Sequence, residues 1–208
     1  MKSVPKLVPS VGAVTSATAP IAVRIATGLA VDAVAVLDAL GDTVRVQVFD
    51  GAALLFDETR EAGRAVMLFL DLPGSATAQI VVTIAGSAGS TVSVGKLLVG
   101  PAFDLGETET SPTIGITDYS KRTTDDFGVT SVTPRSWAKT MTLRTLIATG
   151  EVDAAERKVA AIRAVPALWI GDERFDSLCI YGFFKSFQID LALETISYVS
   201  LTVEGLAA

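Results

Sequence analysis

The sequence predicts a mainly β chain of two domains: an N-terminal β-sandwich of jelly-roll type over residues 1–103, then a β-sheet or split-barrel domain over 104–208 that carries one α-helix. Three observations predict it. Between residues 21 and 100, short apolar runs alternate with polar residues and are cut by turn residues at a spacing of about 8–12, the rhythm of a sandwich or jelly roll. Only residues 150–164 carry a convincing helical spacing of apolar side chains. At Gly100-Pro101 an alternating strand ends and the composition shifts, because both tryptophans, the helix and the longest alternating runs all lie beyond it.

Residues 1–20 hold Pro5, Pro9 and Pro20 among small and β-branched residues, which disfavours helix and predicts an extended N-terminal arm. Ile21, Val23 and Ile25 then alternate with Ala22, Arg24 and Ala26, the period of a half-buried strand. Alanine and leucine within 31–40 favour helix, but Val31, Val34 and Val36 are β-branched and Gly41-Asp42 follows, so a strand over 33–37 is predicted. Val44, Val46 and Val48 face one way along 43–49, with Arg45 and Gln47 facing the other. Asp50-Gly51 before the apolar run 52–56 signals a hairpin, since a tight primed turn needs positive φ. Further strands are predicted over 65–71, 79–85, 91–95 and 96–100, with Pro73-Gly74 and the loop 86–90 between them.

The second half opens on an irregular span, 103–111. Strands over 113–119 and 128–133 then flank the polar stretch 121–126, read as an exposed hairpin tip. Residues 136–147 form a long strand with Trp137, Met141, Leu143 and Thr145 on one side. The helix 150–164 is capped by Thr149, has Glu151 and Asp153 in its first turn, and lines up Val152, Ala155, Val159 and Ile162 as one apolar stripe facing the sheet of its own domain. Pro166 stops it. Strands over 167–170, 177–191 and 196–203 complete the domain.

Composition excludes several chemistries. The chain has 208 residues, no histidine and one cysteine, Cys179, so an internal disulfide, a Cys/His zinc site and a His-based nucleophilic triad are all impossible. Cys179, in an alternating run, reads as a small buried apolar side chain. The net charge of −6 is spread evenly: residues 1–104 carry 7 basic and 9 acidic side chains, residues 105–208 carry 10 and 14, so neither half is a basic nucleic-acid module. No run approaches the roughly 18 apolar residues of a membrane span. Pro5, Pro9, Ser10 and Gly12 interrupt the signal-like N-terminus, so assembly in the cytoplasm without secretion is expected.

The remaining route to acid–base chemistry is through carboxylate pairs. Asp125-Asp126 and Asp172-Glu173 are the candidates, and both fall in predicted turns where neighbouring side chains diverge. Loop carboxylates can bind calcium, but the 12-residue ligand spacing of an EF-hand is absent. Gly95 and Gly100 lack the phosphate-loop spacing and read as strand-end glycines. Phe49, Phe56, Phe69 and Phe103 fall mostly on apolar strand faces and read as core rather than as a sugar platform. No catalytic, cofactor-binding or metal-binding residue is assigned, and no cofactor is expected.

Read in order, the first half offers AVDAVAVLDALG, TVRVQVFDG, FLDLP, QIVVTIAG and SVGKLLVGPAF; the second offers GITDYSKRTTDDFG, RSWAKTMTLRTL, PALWIGDE, IYGFFKSFQI and ISYVSLTVEGL. This succession resembles the distal tail and minor tail (baseplate) proteins of long-tailed bacteriophages, the first half being similar to their galactose-binding-like, carbohydrate-module-like jelly roll. The resemblance covers nearly the whole chain. It departs from the commonest arrangement in placing the jelly-roll half before the ring-forming half. No sugar-contacting motif is matched, so no ligand-binding residue is carried over.

The resemblance implies a non-enzymatic structural component of the virion, at the tail tip, forming a ring that joins the tail tube to the baseplate and its receptor-binding parts. Its expected partners are itself, as a cyclic homo-oligomer that is six-fold by the resemblance, together with tail-tube and tail-tip hub proteins. Residues 104–208 are expected to build the ring through the open edges of their long strands. The arm 1–20 would reach a neighbour, and the tip 121–126 an adjacent tail component. The alternative is a carbohydrate-binding adhesin module that contacts host-surface glycan. A glycosidase ranks third, because it needs two carboxyl groups about 5–9.5 Å apart and no spacing offers them.

Overall fold

A computed structural model describes residues 2–5, 14–109 and 112–206, so residues 1 and 6–13 of the expected arm 1–20 lie outside the described residues. The protein is mainly β, with 57% of the described residues in strands against 8% helical, and one of its antiparallel sheets curls into a half-barrel. It divides into two compact units, Lys2–Asp104 and Leu105–Ala208.

The first unit contains β1 (Lys2–Pro5), β2 (Thr15–Thr18), β3 (Ile21–Ala26), β4 (Ala33–Leu37), β5 (Thr43–Asp50), β6 (Ala53–Glu61), β7 (Val66–Phe69), β8 (Gln79–Ala85), β9 (Thr91–Val94), β10 (Lys96–Gly100) and β11 (Phe103–Asp104). Its four-stranded sheet runs β3-β8-β5-β6 and its three-stranded sheet β10-β4-β7, while β2 pairs with β9 and β1 with β11. The predicted alternation holds in β5, where Val44, Val46 and Val48 are buried. Val46 and Val23 both lie opposite Val82 of the central strand. From the other sheet come Val34, Val36, Met67, Phe69 and Val99, and all belong to one apolar core. Every residue of β4 is buried, which explains why its apolar run carries no alternation.

The hairpin at Asp50 forms as its sequence predicts: Asp50 lies opposite Ala53, and Gly51 supplies a φ of +60°. Its second strand, however, is an exposed edge with Leu54 and Leu55 half out, not an inward apolar run. Asp57, Glu58, Arg60 and Glu61 along that edge discourage strand addition, as charge on an edge does. Arg60 lies 4.7 Å from the Phe69 ring centroid and donates to the carbonyl of Leu68 at 2.6 Å, closing the sandwich at that side.

The second unit contains β12 (Glu107–Thr108), β13 (Thr113–Asp118), β14 (Lys121–Thr124), β15 (Thr130–Thr133), β16 (Trp137–Ala148), α1 (Val152–Ala161), β17 (Ala167–Ile170), β18 (Cys179–Asp190) and β19 (Ile196–Gly205). Within it the strands run β17-β18-β19-β16, with β12 and β13 sharing the other side of β16. The span expected to be irregular, 103–111, therefore contains two short strands. Met141, Leu143, Thr145 and Ile147 form the buried face of β16, but Trp137, at the strand's first position, is 39% exposed rather than inward.

The helix is shorter than the predicted 150–164. Residues Thr149–Glu151 form a 3₁₀ turn, α1 ends at Ala161, and Ala164 has a φ of +59° before Pro166. Ala155, Val159 and Ile162 of the predicted stripe are buried, and Val152 is half-buried. Thr149 does not cap. Its hydroxyl donates to the carbonyl of Leu193 at 3.1 Å, because the tight turn carries it toward the β18–β19 connection instead of the helix axis. Trp169 is fully buried, donates its Nε1–H to the carbonyl of Gly182 at 3.1 Å, and meets Phe184 edge-on.

Candidate functional site

Among the described residues the longest unbroken exposed run, 121–137, lies in the excursion between β13 and β16. Every residue of β14 and β15 is exposed, and so is all of β13 except Thr117. β13 is nevertheless held in register, from Thr113 opposite Thr142 to Asp118 opposite Trp137. β14 and β15 pair with each other from Lys121 opposite Thr133 to Thr124 opposite Thr130, and their four threonines supply β-branched side chains without any core to bury them. The stretch expected to be a tip, 121–126, is thus strand in its first four residues; the tip proper is 125–129.

That tip is built from one side chain. Asp125 Oδ1 accepts the backbone N–H groups of Phe127 at 3.0 Å and of Val129 at 2.8 Å, while Gly128 N–H bonds to the Asp125 carbonyl at 3.0 Å. Gly128 has a φ of +82°, where its missing Cβ is an advantage. Phe127 is 93% exposed on this hydrogen-bonded loop, with Val129 and Val132 beside it and Ile114 and Ile116 along β13. Burying a phenylalanine side chain is favourable by about 1.5–3 kcal/mol. A rigid loop that presents one to water has the form of a pre-organised anchor for another surface.

The root of the arm is fastened by polar contacts. Asp118 accepts the N–H of Ser120 at 2.8 Å, and the Ser120 hydroxyl, followed by that N–H, holds its carboxyl below the ordinary range. Tyr119 donates its hydroxyl to Glu204 Oε1 at 2.5 Å, and Lys185 pairs with Oε2 of the same carboxylate. Lys185 first, and Tyr119 second, depress the Glu204 pKa; in return Glu204 raises those of Lys185 and Tyr119. Three elements, the β13–β14 turn, β18 and β19, are thereby tied at one carboxylate.

The carboxylate pairs do not converge. Asp125 is occupied by its loop and Asp126 is exposed beside it. Asp172 accepts Arg174 Nε and Nη2, and the Arg174 side chain, followed by its backbone N–H, keeps the carboxyl below the ordinary range, the reverse of what a general acid needs. Cys179 is buried, with its thiol toward the Asp172 carbonyl at 3.7 Å. Phe69 is core, while Phe49, Phe56 and Phe103 are half-buried. Among the described residues no group of three or more His, Cys, Asp or Glu could hold a metal ion, and no helix is long and apolar enough to cross a membrane.

Sequence reasoning missed Phe127, although the signal was present: an aromatic side chain lies between turn-forming Asp125-Asp126 and Gly128, where no core can reach it. It also missed Leu191 and Leu193, which are 71% and 59% exposed in the β18–β19 connection. No family model, curated protein or solved structure matches the chain.

Proposed function

We propose that this chain is a non-enzymatic structural subunit of a bacteriophage tail tip, one copy of an oligomeric ring that connects the tail tube to the receptor-binding apparatus. The observation that carries the reading is the arm over 113–133, a stapled hairpin that buries almost nothing within its own unit and presents Phe127, Val129 and Val132 to water. A monomer gains nothing from such a surface, whereas an assembling subunit gains a contact. Residues 183–190 of β18 support the same reading. Among the described pairings they bond to β19 only, which leaves an open edge eight residues long. The particular assembly, its expected six-fold closure and its tube and hub partners follow from the order of segments that resembles distal tail proteins.

The test is localisation of the chain in an intact particle. Antibody raised against the purified chain should decorate one end of the tail in electron micrographs, and the purified chain should sediment as a multiple of its 21.7 kDa mass. Absence of the chain from purified particles would refute the reading. Binding of the full chain to a glycan array, lost on Phe127→Ala, would instead make the arm an adhesin tip.

A further inference from the structure

The second unit carries a second exposed apolar cluster, at the end of β16 opposite the root of the arm. Leu191, Leu193 and Ile196, 71%, 59% and 40% exposed, surround the connection between β18 and β19. This corner is ordered: Thr149 N–H bonds to the Thr195 carbonyl at 3.0 Å and Thr149 Oγ1 to the Leu193 carbonyl, so the turn is fastened against the residues that lead into α1. Asp190 and Glu194 flank the leucines, and Glu151 and Asp153 lie just beyond Thr149; all four are exposed.

The root of the arm and the corner lie at opposite ends of one strand. Asp118, at the root of the arm, lies opposite Trp137, and Ile196, at the corner, lies opposite Ala148. At about 3.3 Å per residue the intervening length of β16 separates them by about 36 Å. The arm, exposed along its whole length, does not cover the corner of its own chain. Its charges are also opposite in kind: near its base the exposed Lys121, Arg122 and Arg135 outnumber Asp118, Asp125 is engaged in its own loop, and only Asp126 faces out as an acid at the tip.

We infer that the apolar, basic-rooted arm 113–133 of one copy docks on the acidic, leucine-bearing corner 190–196 of a second copy, in a head-to-tail contact that repeats. The inference rests on the assembly reading above and adds its acceptor surface and polarity. Each copy carries both halves of the contact and leaves both exposed, as a heterologous interface requires; such contacts close into a ring when the rotation permits. Phe127 is the anchor, buried on docking between Leu191 and Leu193, and the lysine and arginines meet the four carboxylates. The contact weakens as salt screens those charges.

A complementation experiment with the full chain tests it. One variant carries Phe127→Asp and Val129→Asp, the other Leu191→Asp and Leu193→Asp; all four positions are exposed, and an unchanged unfolding midpoint verifies the fold. Should an aspartate pair unfold the chain, Phe127→Ser and Leu193→Ser serve the same scheme. Each variant alone should associate at least roughly 30-fold more weakly than the wild type, the scale of losing an interface anchor. Mixed, they should form a dimer and nothing larger, because one intact arm meets one intact corner. If the wild type assembles but the variants do too, or the mixture yields no dimer, the head-to-tail assignment is wrong while the assembly reading stands. A wild-type chain that remains monomeric at millimolar concentration overturns both.

Discussion

Replacing Gly182 with alanine tests whether the second unit is held by close backbone approach. Gly182 lies opposite Ala167 of β17 on one side and Gly205 of β19 on the other, where β17 stops pairing. A Cβ at this position would stand 2.0 Å from the Glu204 carbonyl oxygen and 2.6 Å from Gly205 Cα, although real Cβ contacts essentially never fall below 3.0 Å. β18 and β19 must therefore part by about 1 Å, a strain of the overpacking kind that costs about 1–3 kcal/mol. Gly182→Ala should accordingly destabilise the unit by about 1–3 kcal/mol. Urea unfolding followed by tryptophan fluorescence reads this directly, because Trp137 and Trp169 both belong to Leu105–Ala208. Gly150→Ala is the control: nothing lies within 4 Å of its added Cβ, and a stabilisation of about 0.4–1 kcal/mol is expected from the stiffer unfolded chain. A Gly182→Ala midpoint within about 0.5 kcal/mol of wild type, the range of an inert surface change, would refute the reasoning.

Two further outcomes are expected. Ile162→Ala removes a large side chain that is 8% exposed beyond α1 and should cost about 2–5 kcal/mol by the same fluorescence assay; amide exchange over Lys2–Asp104 should stay at wild-type protection, and equal loss in both units would contradict their independence. Glu204→Gln should lower stability near neutral pH. Because the folded pKa of Glu204 is depressed, its contribution is present above the unfolded glutamate value of about 4.3 and is lost as pH falls through the lower folded value, so wild type and variant should converge in acid. A stability gap that persisted at the lowest pH would show that packing, not the Lys185 and Tyr119 contacts, sets the difference.

Local pattern carried most of the strand and helix positions. The valines of β5, the all-apolar β4, the Asp50-Gly51 turn and the stripe Ala155, Val159, Ile162 are each a short-range signal, readable because period and turn chemistry are local. What was not legible depends on pairing partners. Lys121–Thr124 reads as polar tip until Thr130–Thr133 is seen opposite it. Trp137 has the parity of Met141 and Leu143, yet it is 39% exposed at the first position of β16, which alternation alone does not foretell. Thr149 has the chemistry of a cap and bonds elsewhere because a 3₁₀ turn intervenes. The arm was visible as polarity, but Phe127 within it gains meaning only once its loop is known to be ordered and unsupported by any core.

The stapled tip has a consequence for how this chain can change over generations. Asp125 and Gly128 fix the shape of the loop and Thr124 bonds Thr130 across its neck, while Phe127, Asp126 and the other side chains of β14 and β15 are exposed and lie outside the core of the unit. Surface substitutions away from caps, cores and strained backbone commonly shift stability by no more than about 0.5 kcal/mol. Those positions are therefore open to exchange at little risk to folding, whereas Asp125 and Gly128 are not. Partner choice and foldability are inherited through different residues of one short hairpin, so recognition can drift between lineages while the scaffold beneath it stays unaltered.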